Sequence, residues 1–110
     1  MSVRGVTAAA LLVCSAVASA QTLGAPEREA ARKLFTNGAA PACAICHTLR
    51  DAGAAGEVGP VLDELQPDEA RVAKAVQDGL GVMPPFRDKL SAQDIALLAR
   101  YVSQVAGPAR

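Results

Sequence analysis

The sequence predicts an all-α domain of three main helices and long loops, preceded by a leader. Three observations predict it. Apolar residues recur at helical spacing in three stretches, each bounded by start and stop residues. The intervening segments are rich in glycine and proline, and no stretch alternates as a half-buried strand would. Two cysteines and a histidine crowd into five residues, which gives such long loops a reason to be ordered.

The 110 residues suffice for one domain and a targeting segment. Residues 1–20 read as that segment. Arg4 supplies a positive start, residues 5–18 are small, apolar and uncharged, and Ala18-Ser19-Ala20 fits the small-x-small cleavage pattern. The stretch is short and alanine-rich for a membrane span, which needs about 20 apolar residues. An uncleaved anchor is the alternative. Cleavage near Ala20 leaves a mature domain of residues 21–110, expected in the periplasm, with no membrane span of its own. Cys14 follows Leu12 and Val13, a poor setting for lipidation, and is discarded with the leader. Cys43 and Cys46 remain.

Charge is balanced, with 11 Lys and Arg against 11 Asp and Glu. Without a basic run or an aromatic-basic stripe, nucleic-acid binding has no support. The mature part holds only Phe35, Phe86 and Tyr101 as aromatics. A domain this small is marginal on its own side chains, so something else is expected to fill its centre.

The first helix runs from Pro26 to about Asn37. Pro26 suits the first helical position, Glu27 and Glu29 the first turn, and Gly38 the stop, with Ala31, Leu34 and Phe35 on one face. A loop over residues 38–42 leads to the cysteine pair. Gly53, Gly56, Gly59 and Pro60 mark residues 50–60 as loop. Pro67 to Asp78 predicts the second helix, with Val72, Ala73 and Val76 apolar and Gly79 closing it. Residues 79–90 form another loop. Ser91, with Asp94 three residues on, caps the last helix, along which Ile95, Leu98, Ala99 and Val102 recur and Leu97 and Tyr101 widen the stripe. Gly107-Pro108 ends it.

Cys43-Ala44-Ile45-Cys46-His47 has the spacing of c-type haem attachment. Two thiols three residues apart on a helical turn can each add to a haem vinyl group, and the adjacent His47 projects under the iron. Three other readings compete. A thioredoxin-type dithiol would follow a strand. A structural zinc site needs four protein ligands, and the mature chain offers two Cys and one His. A disulfide across a two-residue gap closes almost no loop.

For the second axial position, His47 is the only His, and Met83 is the only Met after the leader. Met83 lies in Gly79-Leu80-Gly81-Val82-Met83-Pro84-Pro85, where the prolines stiffen the loop. A soft, neutral thioether raises the reduction potential. A methionine filling core space is the plainer reading, and Lys74 and Lys89 are the alternative donors. Gly59-Pro60 stands where a carbonyl could take the second ring N–H of a proximal His, or simply make a turn.

In this order, N-terminal helix, Cys-x-x-Cys-His, Gly-Pro, late Met-Pro and C-terminal helix, the chain resembles class I cytochrome c over essentially the whole mature part. The resemblance implies the cytochrome c fold around one covalently bound haem c, with Cys43 and Cys46 bonded to it, His47 and Met83 as axial ligands and Pro60 supporting His47. It also implies that the first and last helices cross with Ala31 and Phe35 against Tyr101. Ala31 departs from the family's usual glycine. The sequence has no Trp to serve the haem carboxylates, leaving backbone N–H groups or arginines such as Arg87. Cys46-His47-Thr48-Leu49, Asp51-Ala52-Gly53, Val58 to Leu65 and Gly79 to Pro84 are further similar to small cytochromes paired with molybdenum sulfite dehydrogenases.

The expected function is single-electron transfer, not enzymatic turnover, between redox proteins: a dehydrogenase as donor and an oxidase or another cytochrome as acceptor. Val61, Leu62, Leu65, Leu80, Val82 and Phe86 are the candidate pocket walls. If Met83 is not a ligand, a five-coordinate haem enzyme or gas sensor is the alternative. A subunit bound permanently to a dehydrogenase is a third possibility.

Overall fold

In the computed structural model, residues 1–14 and 22–108 are described. Residues 1–14 have no regular secondary structure and are exposed, while Ala18-Ser19-Ala20 lies outside the described residues. The elements are α1 (Ala25–Asn37), α2 (Cys43–Cys46), β1 (Thr48–Leu49), β2 (Ala54–Ala55), α3 (Leu62–Leu65), α4 (Glu69–Asp78) and α5 (Ala92–Val105), with a 3-10 turn at Arg50–Ala52. The fold is all-α in substance, and among the described residues no helix is long and apolar enough to cross a membrane.

The three main helices start where their residues dictate. Proline sits in the first turn of α1. Asp68, rather than the expected Pro67, opens α4: its side chain accepts from the Arg71 N–H, so the helix begins at Glu69. Ser91 caps α5 by accepting from the Asp94 N–H at 3.0 Å. The expectation of no strand needs correction. β1 and β2 pair antiparallel, Thr48 opposite Ala55 and Leu49 opposite Ala54. Two-residue strands carry no readable alternation, and Leu49 is fully buried. The single-turn helix α3, in the stretch after Pro60, is equally short of periodicity.

Ala31, Phe35 and Tyr101 are buried where α1 crosses α5, as the resemblance implied. The Phe35 and Tyr101 rings meet edge to face with centroids 6.5 Å apart. α4 packs along α5, burying Val72 and Val76 near Ile95, Leu98 and Val102.

Two carboxylates tie distant segments together. Asp63 is buried and accepts from the backbone N–H of Arg50 at 2.8 Å and of Gly107 at 3.2 Å. The Arg50 guanidinium donates in turn to the Gly107 carbonyl at 2.9 Å. Asp51 accepts from the Tyr101 hydroxyl at 2.7 Å and pairs with Arg28 and Arg32. Partial burial would raise the Asp51 carboxyl, but hydrogen bonds from Arg28, Tyr101 and Arg32 outweigh it and hold it at about 2. A depressed carboxyl contributes stability above its unfolded value near 3.9 and loses it as pH falls through the folded value. Asp51→Asn is therefore expected to cost about 1–2 kcal/mol at neutral pH, discounted because Arg28 is half exposed. The difference from the unaltered protein should vanish between about pH 4 and pH 2, as acid titrations of unfolding would record.

Candidate functional site: an apolar cleft facing two thiols and an imidazole

Cys43 and Cys46 open and close α2, one helical turn apart. The His47 N–H donates to the Cys43 carbonyl at 2.9 Å, capping that turn, and His47 itself is extended. The chain then returns over the motif through the β1–β2 ribbon. Gly59 N–H donates to the Cys46 carbonyl at 2.7 Å and Gly56 N–H to the His47 carbonyl at 3.2 Å. The Thr48 hydroxyl donates to the Gly56 carbonyl at 3.0 Å.

This return places Pro60 against the imidazole. His47 Nδ1 stands 2.8 Å from the Pro60 carbonyl oxygen, which can only accept, so Nδ1 carries the proton and Nε2 keeps its lone pair for a metal. The Pro60 carbonyl therefore occupies the position that the Gly-Pro pair suggested. Gly59 is required by the same close approach. A Cβ there would stand 2.6 Å from His47 Cε1 and 2.9 Å from Nδ1. Gly59→Ala is expected to tilt the ring off Pro60 and destabilise the fold by about 1–3 kcal/mol. Urea unfolding, with the visible spectrum followed in parallel, measures both effects.

Cys43, Cys46, His47 and Met83 all line one cleft of about 600 Å³, within the usual range for a cofactor site. Its walls are mostly apolar and come from every main helix: Phe35 of α1, Val72 and Val76 of α4, Leu98 and Val102 of α5. Of the expected wall residues, Leu62, Leu65, Leu80, Val82 and Phe86 line it. Val61 does not; it caps α3, its carbonyl accepting from Glu64 and Leu65. Burial raises the Cys43 thiol above its ordinary value, so the group is kept neutral. No disulfide joins Cys43 to Cys46. Among the described residues no cluster of three His, Cys, Asp or Glu could hold a metal ion, which leaves the four-ligand zinc reading without a site.

Met83 is held by its backbone. Its N–H donates to the Leu80 carbonyl and its carbonyl accepts from the Leu80 N–H, both at 3.0 Å. The turn is anchored to α4 by the Phe86 N–H on the Val76 carbonyl at 2.8 Å. Gly79, at φ 72°, precedes it, and a Cβ there would stand 2.6 Å from the Met83 carbonyl oxygen. The alternative donors are engaged elsewhere. Lys74 lines the cleft but pairs with Asp78 at 3.2 Å. Lys89 donates to the Ala40 carbonyl at 3.0 Å and lies over the Phe86 ring. Arg87, suggested for the haem carboxylates, pairs with Asp78 and is not among the lining residues.

Two thiols on one turn, an imidazole with its metal-facing nitrogen free and an apolar slot match what a covalently held porphyrin requires. Comparison with known proteins agrees. Residues 26–102 match the family model described as cytochrome c oxidase, cbb3-type, subunit III. The crystal structure of the c-type cytochrome SorU from Sinorhizobium meliloti is 49% identical, with a TM-score of 0.71, over 74% of this chain and 93% of that one. The comparison with curated proteins gave no match.

Proposed function

Because the chain belongs to the c-type cytochromes and so carries one covalently bound haem c, we propose that it is an exported single-electron carrier. In this reading Cys43 and Cys46 bond the haem and His47 and Met83 are its axial ligands. The observation that carries it is that two thiols and an imidazole from one short segment and a thioether from a second, 36 residues on, line a single apolar cleft. When bound, the haem supplies an iron that takes up and gives back one electron.

The chain's own residues set the terms of that exchange. The Pro60 carbonyl fixes the His47 tautomer and strengthens Nε2 as a donor. Met83 offers a neutral sulfur that favours the ferrous state, and the apolar walls work in the same direction by excluding water. The Leu80–Met83 turn and its anchor to Val76 keep the sulfur in place through a change of one charge. With His47 and Met83 both holding the iron, no position would be open to a substrate, and His47 is the only histidine in the sequence for any acid-base chemistry.

The leader predicted over residues 1–20 supports export. The stretches similar to cytochromes of sulfite dehydrogenases support a molybdenum enzyme of that kind as donor. One measurement tests the core of the proposal. Protein matured in the periplasm should keep its pigment through acid-acetone extraction. Its ferric spectrum should be low-spin, with the weak long-wavelength sulfur-to-iron band. A high-spin ferric spectrum would remove Met83 as a ligand and favour a haem open to peroxide or a diatomic gas.

A further inference from the structure

We propose that Arg71 and Lys74 bind the carboxylate edge of the haem. The inference rests on the reading above that a haem fills the cleft.

Arg71 and Lys74 stand three residues apart on α4 and both line the cleft. Among the described lining residues they are the only Lys or Arg, and Asp78 is the only carboxylate. The backbone N–H of Arg71 goes to Asp68, but among the described residues its guanidinium has neither a hydrogen bond nor an ion pair. Lys74 shares Asp78 with Arg87. With two cations on one carboxylate and Arg71 unpaired, this wall of an otherwise apolar cleft carries an excess of positive charge.

A haem is apolar except for two propionates, which leave the ring along one edge. Ionised carboxylates at an apolar wall need charged or hydrogen-bonding partners. The guanidinium fork of Arg71 matches a carboxylate with two parallel N–H bonds, and Lys74 adds a point charge. The chain has no Trp to serve instead. The placement of the thiols gives an independent argument. The vinyl groups that cysteines attack lie on the edge of the ring away from the propionates. α2, with the thiols, packs on α1, whereas α4, with the two cations, packs on α5. The thiols and the cations therefore stand on different walls, as the two edges of one ring demand.

The test uses the holoprotein with Arg71→Gln, Arg71→Lys and, as a control, Lys33→Gln on the exposed side of α1, outside the cleft. Midpoint potential is measured by spectroelectrochemistry across a pH series. Removing a cation beside the haem favours the ferric state, so Arg71→Gln should lower the midpoint. The pH at which the midpoint bends should rise, because a propionate without its partner holds its proton longer. Arg71→Lys, which keeps the charge and loses the fork, should recover most of the midpoint. Arg71→Gln curves that superimpose on those of the unaltered protein would overturn the assignment, as would a shift of equal size in Lys33→Gln. If the unaltered protein lacks covalent pigment, both this inference and the carrier reading fail. Covalent pigment with an inert Arg71→Gln removes this inference alone.

Discussion

Protein with Cys43 and Cys46 both changed to serine should leave a maturation-competent periplasm without covalent pigment and without a cooperative fold. The chemical half follows from the loss of both sulfur nucleophiles. The structural half follows from where the cleft lies. Its walls include Phe35, Val72, Val76, Leu98 and Val102, which are also the packing residues of α1, α4 and α5. A cleft of about 600 Å³ treated as unfilled cavity, at roughly 24 cal/mol per Å³, corresponds to on the order of 10 kcal/mol. Water entering through the mouth reduces that figure. Even half of it is comparable with the whole stability of a small domain, about 5–15 kcal/mol. Far-UV circular dichroism and urea unfolding of the double variant test the structural half, and acid-acetone extraction tests the chemical half. A colourless variant that still unfolds cooperatively at the midpoint of the unaltered protein would show that the helices do not depend on the ring.

Met83→Ala should keep its pigment and its helices but lose the weak sulfur-to-iron band, turn high-spin in the ferric form and fall in potential. The fall should be on the order of a few hundred millivolts, within the ~0.8 V range that axial ligands span in haem proteins. Met83→His should restore a low-spin spectrum at a potential still below that of the unaltered protein, since a second imidazole lacks the thioether's preference for ferrous iron. Lys74→Ala, by contrast, should leave the low-spin spectrum unchanged, because that ammonium already pairs with Asp78. A Met83→Ala protein with the band and potential intact would sink Met83 as a ligand.

The sequence was most legible where chemistry is local. The Cys-x-x-Cys-His spacing fits on one helical turn, and the structure has that turn, α2. Ser91 with Asp94, and the Val72–Val76 pair, announced α5 and α4 because caps and periodicity operate within a few residues. The failures are non-local. Asp51 was read only as part of a resemblance, yet its partners Arg28, Arg32 and Tyr101 lie 23, 19 and 50 residues away. The β1–β2 ribbon pairs two residues with two, too few to leave a pattern. Arg87 was suggested for the haem carboxylates, yet it pairs with Asp78 and stands outside the cleft lining, whereas Arg71, which no motif singled out, lines the cleft. Val61 matched its neighbours in hydrophobicity, and only the start of α3 took it out of the wall.

The Asp63 clasp reaches beyond the fold to how the protein can be handled. Gly107 contributes its N–H to Asp63 and its carbonyl to Arg50, so the segment just past α5 is fastened to the residues that follow the haem-binding motif. A form truncated at Ala106 would strip both contacts and loosen the haem side of the molecule from a cut made far along the chain. An affinity tag therefore belongs beyond Pro108, separated by a spacer that leaves the Gly107 peptide groups undisturbed.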